Sequence, residues 1–192
     1  LGAGCATWPR VRAVLFNGEK NMKIGIYYGS TTGNAESAAE TIRDAFTGEE
    51  IVCESITQAQ PDDLTGYDLL ILGSSTWGDG ELQDDWVAFL PKMDGIDLTG
   101  RKVALFGHGD QSGWADTFVD AMGILYDKVI ERGATVVGSW PAEGYDHSDS
   151  KAMRDGQFVG LALDDANQSG ETAGRIAAWV EGLQDQLSEH LK

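Results

Sequence analysis

Short apolar runs alternate along this chain with segments in which apolar residues return every three or four positions. Lys23–Tyr28, KIGIYY, is a β-branched and aromatic run that stops at Gly29. From Asn34 the period changes. Ala35, Ala38, Ala39, Ile42, Ala45 and Phe46 share one helical face, and Gly48 closes the segment. IVCESI (51–56) predicts a second strand, and YDLLILG (67–73) a third, buried on both faces. RKVALFG (101–107) predicts a fourth, after a helical stretch DDWVAFLPKM (84–93). Thr117–Arg132 predicts an amphipathic helix with Phe118, Met122, Leu125, Val129 and Ile130 inward. ATVVGSW (134–140) predicts a fifth strand. Ala173–Leu187 predicts the last helix, on Ile176, Ala177, Val180 and Leu183. Such alternation implies a parallel α/β sheet with helices on both faces. Between Trp140 and Phe158 the pattern breaks into polar residues, and FVGLALD (158–164) resumes as strand. This predicts an insertion in the last strand.

A length of 192 residues suits one domain with a sizeable core. Charge changes the picture more. Fourteen basic and 31 acidic residues leave a net charge of −17, which repels nucleic acid and anionic membranes. It steers the chain toward basic partner proteins. Residues 1–22 stand apart, with Arg10, Arg12 and Lys20 against Glu19. We expect residues 1–21 to be an N-terminal extension without function, and 22–192 to be the working domain. No apolar run approaches the ~20 residues of a membrane span, and the expected location is cytoplasmic. Cys5 and Cys53 lack metal or redox spacing; Cys53 reads as a small core residue in a strand. His108, His147 and His190 have no evident nucleophile partner and read as surface residues.

In a doubly wound sheet, ligands bind beyond the carboxyl ends of the strands. Three loops leave those ends here: Ser30–Ala35, Ser74–Glu81 and His108–Trp114. The first, Ser30-Thr31-Thr32-Gly33-Asn34-Ala35, runs straight into a predicted helix. Free N–H groups and the helix dipole favour an anion there. The loop has no Lys or Arg and no Gly-Lys-Ser/Thr, so a terminal monophosphate fits it best. Hydrogen bonds to a charged group contribute roughly 1.5–3 kcal/mol each, enough for several to hold a phosphate. Read alone, the same residues serve equally as a helix cap. Trp77 and Trp114 lie in Gly- and Asp-rich loops. One such Trp is a packing plug more often than a platform. Two, on neighbouring loops beside an anion cradle, point to a sandwiched flat ring. A phosphate at one end and a planar ring at the other describe a mononucleotide such as FMN.

At these residues the chain resembles the flavodoxins, specifically the long-chain group. The resemblance runs from about Met22 to Leu187. It is carried by GSTTGNA, STWGDGELQDDW, ALFGHGDQSGWADTF and DGQFVGLALDDANQS, in that order. It implies a three-layer fold with a five-stranded parallel sheet in the order 2-1-3-4-5. It implies that Ser30, Thr31, Thr32, Gly33, Asn34 and Ala35 wrap the FMN phosphate. Ser75, Thr76, Trp77 and Gly78 would line one side of the isoalloxazine, with Trp77 stacking. Gly107, Gly109, Asp110 and Gln111 would edge the pyrimidine end, and Trp114 would cover the other face. Gly78 suits a peptide that turns when the flavin is reduced, because glycine populates φ > 0 at little cost. Ala35 departs from the usual Thr, Trp114 from the usual Tyr, and Ala166 stands where relatives often have an acid near the ribityl chain.

The resemblance further implies a low-potential, one-electron carrier, not an enzyme, with non-covalent FMN cycling between semiquinone and hydroquinone. Asp79, Glu81, Asp84, Asp85 and Asp110 would cluster at the flavin edge. At ~8 Å and an effective dielectric of ~20, one carboxylate disfavours an anionic flavin by about 2 kcal/mol, on the order of 90 mV for one electron. Electrons would arrive from a ferredoxin/flavodoxin-NADP reductase-type donor and leave to low-potential acceptor enzymes, each with a basic docking face. A monomer is expected, with no metal. An FMN-dependent quinone or flavin reductase, and a flavin store or sensor, are the alternative functions. A response-regulator receiver is disfavoured, because the first strand ends in Tyr27-Tyr28-Gly29 rather than acids.

Overall fold

The computed structural model describes residues 22–189. The expected extension over residues 1–21, Cys5 and His190 lie outside them. The central strands are β1 (Lys23–Gly29), β2 (Glu50–Ser55), β3 (Leu69–Trp77), β4 (Lys102–His108) and β5 (Leu161–Leu163). They pair in parallel in the order 2-1-3-4-5, as expected. Strand alternation explains the layers. Ile24, Ile26, Leu69, Ile71, Ala104 and Phe106 point to one face. There they pack on α1 (Asn34–Ala45) and α4 (Thr172–Glu189), through Ala35, Ala39, Ile42, Ile176 and Leu183. Tyr27, Leu70, Leu72, Val103 and Leu105 point to the other face. They meet α2 (Asp84–Phe89) and α3 (Asp120–Glu131) through Trp86, Phe89, Met122, Leu125 and Val129. The Trp86 indole N–H donates to the Gly73 carbonyl at 2.8 Å, tying α2 to the middle of β3.

The fifth strand is split. Thr135–Val136 pairs with the start of β4 and Leu161–Leu163 with its end. Val137 N–H still donates to Val103 O at 2.9 Å, and beyond it the expected 134–140 strand leaves this sheet. Trp140–Pro141 instead forms a small antiparallel sheet with Gln157–Phe158 and Met153–Arg154. The polar insertion therefore has its own hydrogen-bonded frame. Its apolar side, Phe158 and Tyr145, packs on Phe118. Glu81–Leu82 adds a short antiparallel pairing to the tip of β3.

Four other expectations are corrected. The third helix begins at Asp120, not Thr117, because Val119 takes a left-handed φ of 50° and breaks the turn before it. Ile130 is 44% exposed, since the inward stripe of the shorter helix ends on Val129. Only Asp84–Phe89 of the 84–93 stretch is α-helix. Leu90–Gly95 tightens to a 3₁₀ turn around Pro91, which has no N–H to donate. Cys53 is free and half-buried, not a full core residue. It packs on the α1 face, where burial pushes its thiol up to about 11.

Candidate functional site

The carboxyl ends of β1, β3 and β4 open into one cleft of about 410 Å³. Its walls include Thr32, Asn34, Ser75, Thr76, Trp77, Gly78, Gly109, Asp110 and Trp114 from the three expected loops. His108, Thr117, Asp165 and Ala166 complete it. Nine of the fifteen predicted residues therefore line one cleft, and six do not. Ser30, Thr31 and Gly33 belong to the first loop but not to the lining of the cleft. Gly107 lies under Met122 within β4. Ala35 is fully buried in the core beneath α1. Gln111 is turned inward and is 4% exposed.

The anion end is built by the chain's local geometry. Gly33 occupies the position before α1 with φ 92°, a left-handed conformation that suits glycine. Its N–H donates to Ser30 Oγ at 3.1 Å, which closes the loop on itself. Ser37 N–H makes the first helical bond, to Gly33 O at 2.9 Å. No side chain caps the helix. The N–H groups of Asn34, Ala35 and Glu36 find no acceptor among the described residues, while Thr31, Thr32 and Asn34 are exposed. The capping reading of this loop thus fails, and unpaired N–H donors gather at the positive end of a twelve-residue helix. Thr31 Oγ1 accepts from Gln83 Nε2 at 3.2 Å, which leaves its hydroxyl proton free to donate.

The ring end is built by bonds between distant segments. Thr76 Oγ1 accepts from Ala121 N–H at 3.2 Å, so the tip of β3 caps the first turn of α3. Asp110 Oδ1 accepts from Gly113 N–H at 2.8 Å, Ser112 N–H at 3.1 Å and Asn167 Nδ2 at 2.9 Å. These bonds, Gly113 first, hold the Asp110 carboxyl below its usual range. Asp164 is fully buried. It accepts from Gln111 Nε2 at 2.7 Å and from Asn167 N–H at 3.1 Å. Gln111 Oε1 in turn accepts from Asp146 N–H at 2.5 Å. Gln111 therefore works as a strut between the 108–114 loop, the insertion and the segment after β5. On this frame stand Trp77, 39% exposed, and Trp114, 51% exposed. Two large aromatics kept in solvent beside a cleft are available to a flat ligand. Gly78, between Trp77 and the acids, has φ 50°.

Sequence reasoning missed four contributors. Thr117 and Asp165 were hidden in a presumed helix and a polar run. Asp164 and Asn167 act through bonds to residues more than fifty positions away. Only the acid pair directly after a buried strand could have signalled them. His108 was misread. It is 5% exposed, not a surface residue, because β4 carries it to the buried edge of the sheet. His147 is half-buried, packed on Phe118 and Phe158.

The flavodoxin family model matches residues 26–179. The chain belongs to the flavodoxin family. It is 51% identical over 167 residues to a flavodoxin of Trichodesmium erythraeum, covering 86% of this chain and 98% of that one. It is 43% identical over 171 residues to flavodoxin 2 of Escherichia coli, covering 88% and 99%. Among solved structures, the flavodoxin of Fusobacterium nucleatum bound to flavin mononucleotide superposes with a TM-score of 0.82 at 29% identity, over 86% of this chain and 98% of that one. Among the described residues of this family member, no helix is long and apolar enough to cross a membrane.

Proposed function

We propose that this chain is an electron-transfer protein that binds FMN in the cleft and passes electrons one at a time between larger redox enzymes. The observation that carries this reading is the pairing of an uncapped α1 N-terminus with two exposed tryptophans across one cleft. FMN, when bound, supplies reversible one-electron chemistry. The donor set fits it: N–H and O–H groups for a phosphate, aromatic faces for a ring, and no Lys or Arg among the described residues that line the cleft.

The chain's own residues then have separable tasks. Thr31, Thr32, Asn34 and the first N–H groups of α1 hold the phosphate. Ala35 contributes its N–H alone, since its methyl is in the core. Trp77 and Trp114 hold the ring and keep water from its faces. Gly78, already at φ 50°, lets the peptide after Trp77 rotate at little cost. Asp79, Glu81 and Asp84 are exposed near the tip of β3, and Asp85 is half-buried on Gln83 Nε2 at 2.9 Å. With Asp110 they make added negative charge in the cleft unfavourable, which sets a low potential for the second electron. A net charge of −17 supports partners with basic docking faces, a reductase of the NADP type upstream and low-potential acceptors downstream.

A reductive titration of the FMN-loaded protein, followed in the visible, tests this. Two resolved one-electron steps, with the second well below the first, are expected. A single two-electron step, together with NADPH oxidation by the protein alone, would favour a flavin or quinone reductase instead.

A further inference from the structure

The cleft's lining has no Lys or Arg, but it holds one histidine. Among the residues lining the cleft, His108 alone can carry positive charge. It is the last residue of β4, and strand alternation sets it with Ala104 and Phe106 on the face that α1 and α4 cover. It borders the same cleft as Thr32 and Asn34 at the start of α1. Its Nε2 is buried and has no hydrogen-bond partner. Its Nδ1 lies 3.3 Å from Asp165 Oδ2, off the line of a hydrogen bond. A nine-tenths-buried imidazole with an idle nitrogen beside an anion cradle is a ligand group awaiting its ligand.

The surroundings limit what else His108 could answer to. Asp165 faces it from the one-turn helix after β5, and Thr172 at the start of α4 donates to that carboxylate. His108, before Thr172, holds the Asp165 carboxyl below its usual range. Asp110 shares the cleft but is engaged by Gly113 and Asn167. Buried Asp164 is engaged by Gln111 and Asn167. On α1, Glu36 accepts from the Tyr28 hydroxyl. On α4, Arg175 lies over the Tyr145 ring at 4.2 Å. Ser75, its neighbour on β3, carries no charge.

Resting on the cofactor reading above, we propose that His108 is a binding residue for the phosphate-bearing tail of the flavin nucleotide, supplying from β4 the positive charge that the α1 loop lacks. The Asp165 carboxylate, with Oδ2 3.3 Å from Nδ1, positions the imidazole. A protonated imidazole attracts a phosphate more strongly than a neutral one, so a pH series reads this contribution.

The test compares dissociation constants for FMN and riboflavin, by flavin fluorescence, in wild type and His108→Gln from pH 8 to 5.5. The free FMN phosphate loses charge near pH ~6, identically in both experiments, so the variant-to-wild-type ratio reports His108 together with its coupling to the bound phosphate. For FMN the ratio is expected to rise from about 1–2 at pH 8 to about tenfold at pH 5.5. For riboflavin, which has no phosphate, it stays flat. A flat ratio for FMN, or an equal rise for riboflavin, would overturn the proposal while leaving the FMN carrier intact. Failure of wild type to bind either flavin would overturn both. Should the variant not fold, the His108 imidazole resonances of wild type decide. FMN should raise their titration midpoint by about one pH unit, the reciprocal of a tenfold effect, and riboflavin should not. An unmoved or lowered midpoint with FMN would overturn it.

Discussion

The two ends of the cleft are built by different physics. At the phosphate end, six consecutive residues make nearly everything: a left-handed Gly33, a Ser30–Gly33 closure and the bare N-terminus of α1. At the ring end, no single segment suffices. Trp77 and Trp114 stand where they do because Thr76 bonds to Ala121, Asp110 to Asn167, and Gln111 to both Asp164 and Asp146. A local site survives changes elsewhere in the chain. A site assembled across fifty residues inherits the stability of every bond in its frame.

The sharpest way to break this contrast is Asp164→Ala. The change removes a buried acceptor and leaves Gln111 Nε2 and the Asn167 amide unpaired. We expect about 3 kcal/mol of destabilisation in urea unfolding of the apoprotein. Flavin affinity should fall for riboflavin as much as for FMN, since the damage is to the ring end. A selective loss for FMN would contradict the division into two ends. Trp114→Ala comes next. With half its surface already in solvent, its loss should hardly move apoprotein stability. It should weaken FMN by about 2 kcal/mol, or ~30-fold, through lost burial and stacking. Equal losses of stability and affinity would mean that Trp114 is a structural plug after all.

The same contrast explains what could be read from the sequence. The sheet order, the helical faces and the phosphate loop follow from periodicity and from a run of adjacent residues, so they were legible. The ring end was legible only as an odd composition, two tryptophans among glycines and acids. Its frame was not, because Asp164 and Gln111 are ordinary polar letters until the fold brings them together. His108 was missed for a related reason. A histidine after a buried strand is surface or interior according to where the strand ends, and β4 runs one residue past Gly107. Val119 shortened the third helix through a backbone conformation that β-branched residues rarely take.

Ala35→Thr probes the local end. The sequence alone favours tighter FMN binding from the added hydroxyl, and a gain of several-fold is expected if that hydroxyl reaches the loop. The methyl it brings enters a filled core, so the apoprotein should lose about 1 kcal/mol. Isothermal titration and urea unfolding separate the two. Loss of stability without gain in affinity would show the side chain faces only the core, and the N–H groups suffice.

The smallest effect is in the acid limb of stability. Asp110, through Gly113 and Asn167, and Asp165, through His108, are both held below the ordinary carboxylate range. A carboxyl lowered in the folded state binds protons less readily than in the unfolded chain. Its contribution is therefore full above about pH 4 and fades as pH falls through the lowered value. Asp110→Asn keeps the Oδ1 acceptor for Gly113 and Asn167 but cannot titrate. The gap between wild type and variant in urea midpoint should be largest at pH 7 and close below pH ~3. Parallel curves would mean that Asp110 contributes as a hydrogen-bond acceptor only, with its charge irrelevant to the frame. Because Asp110 stands at the ring end, the same titration also shows whether that end loosens before the phosphate end. Riboflavin affinity should then fall at a higher pH in wild type than in the variant.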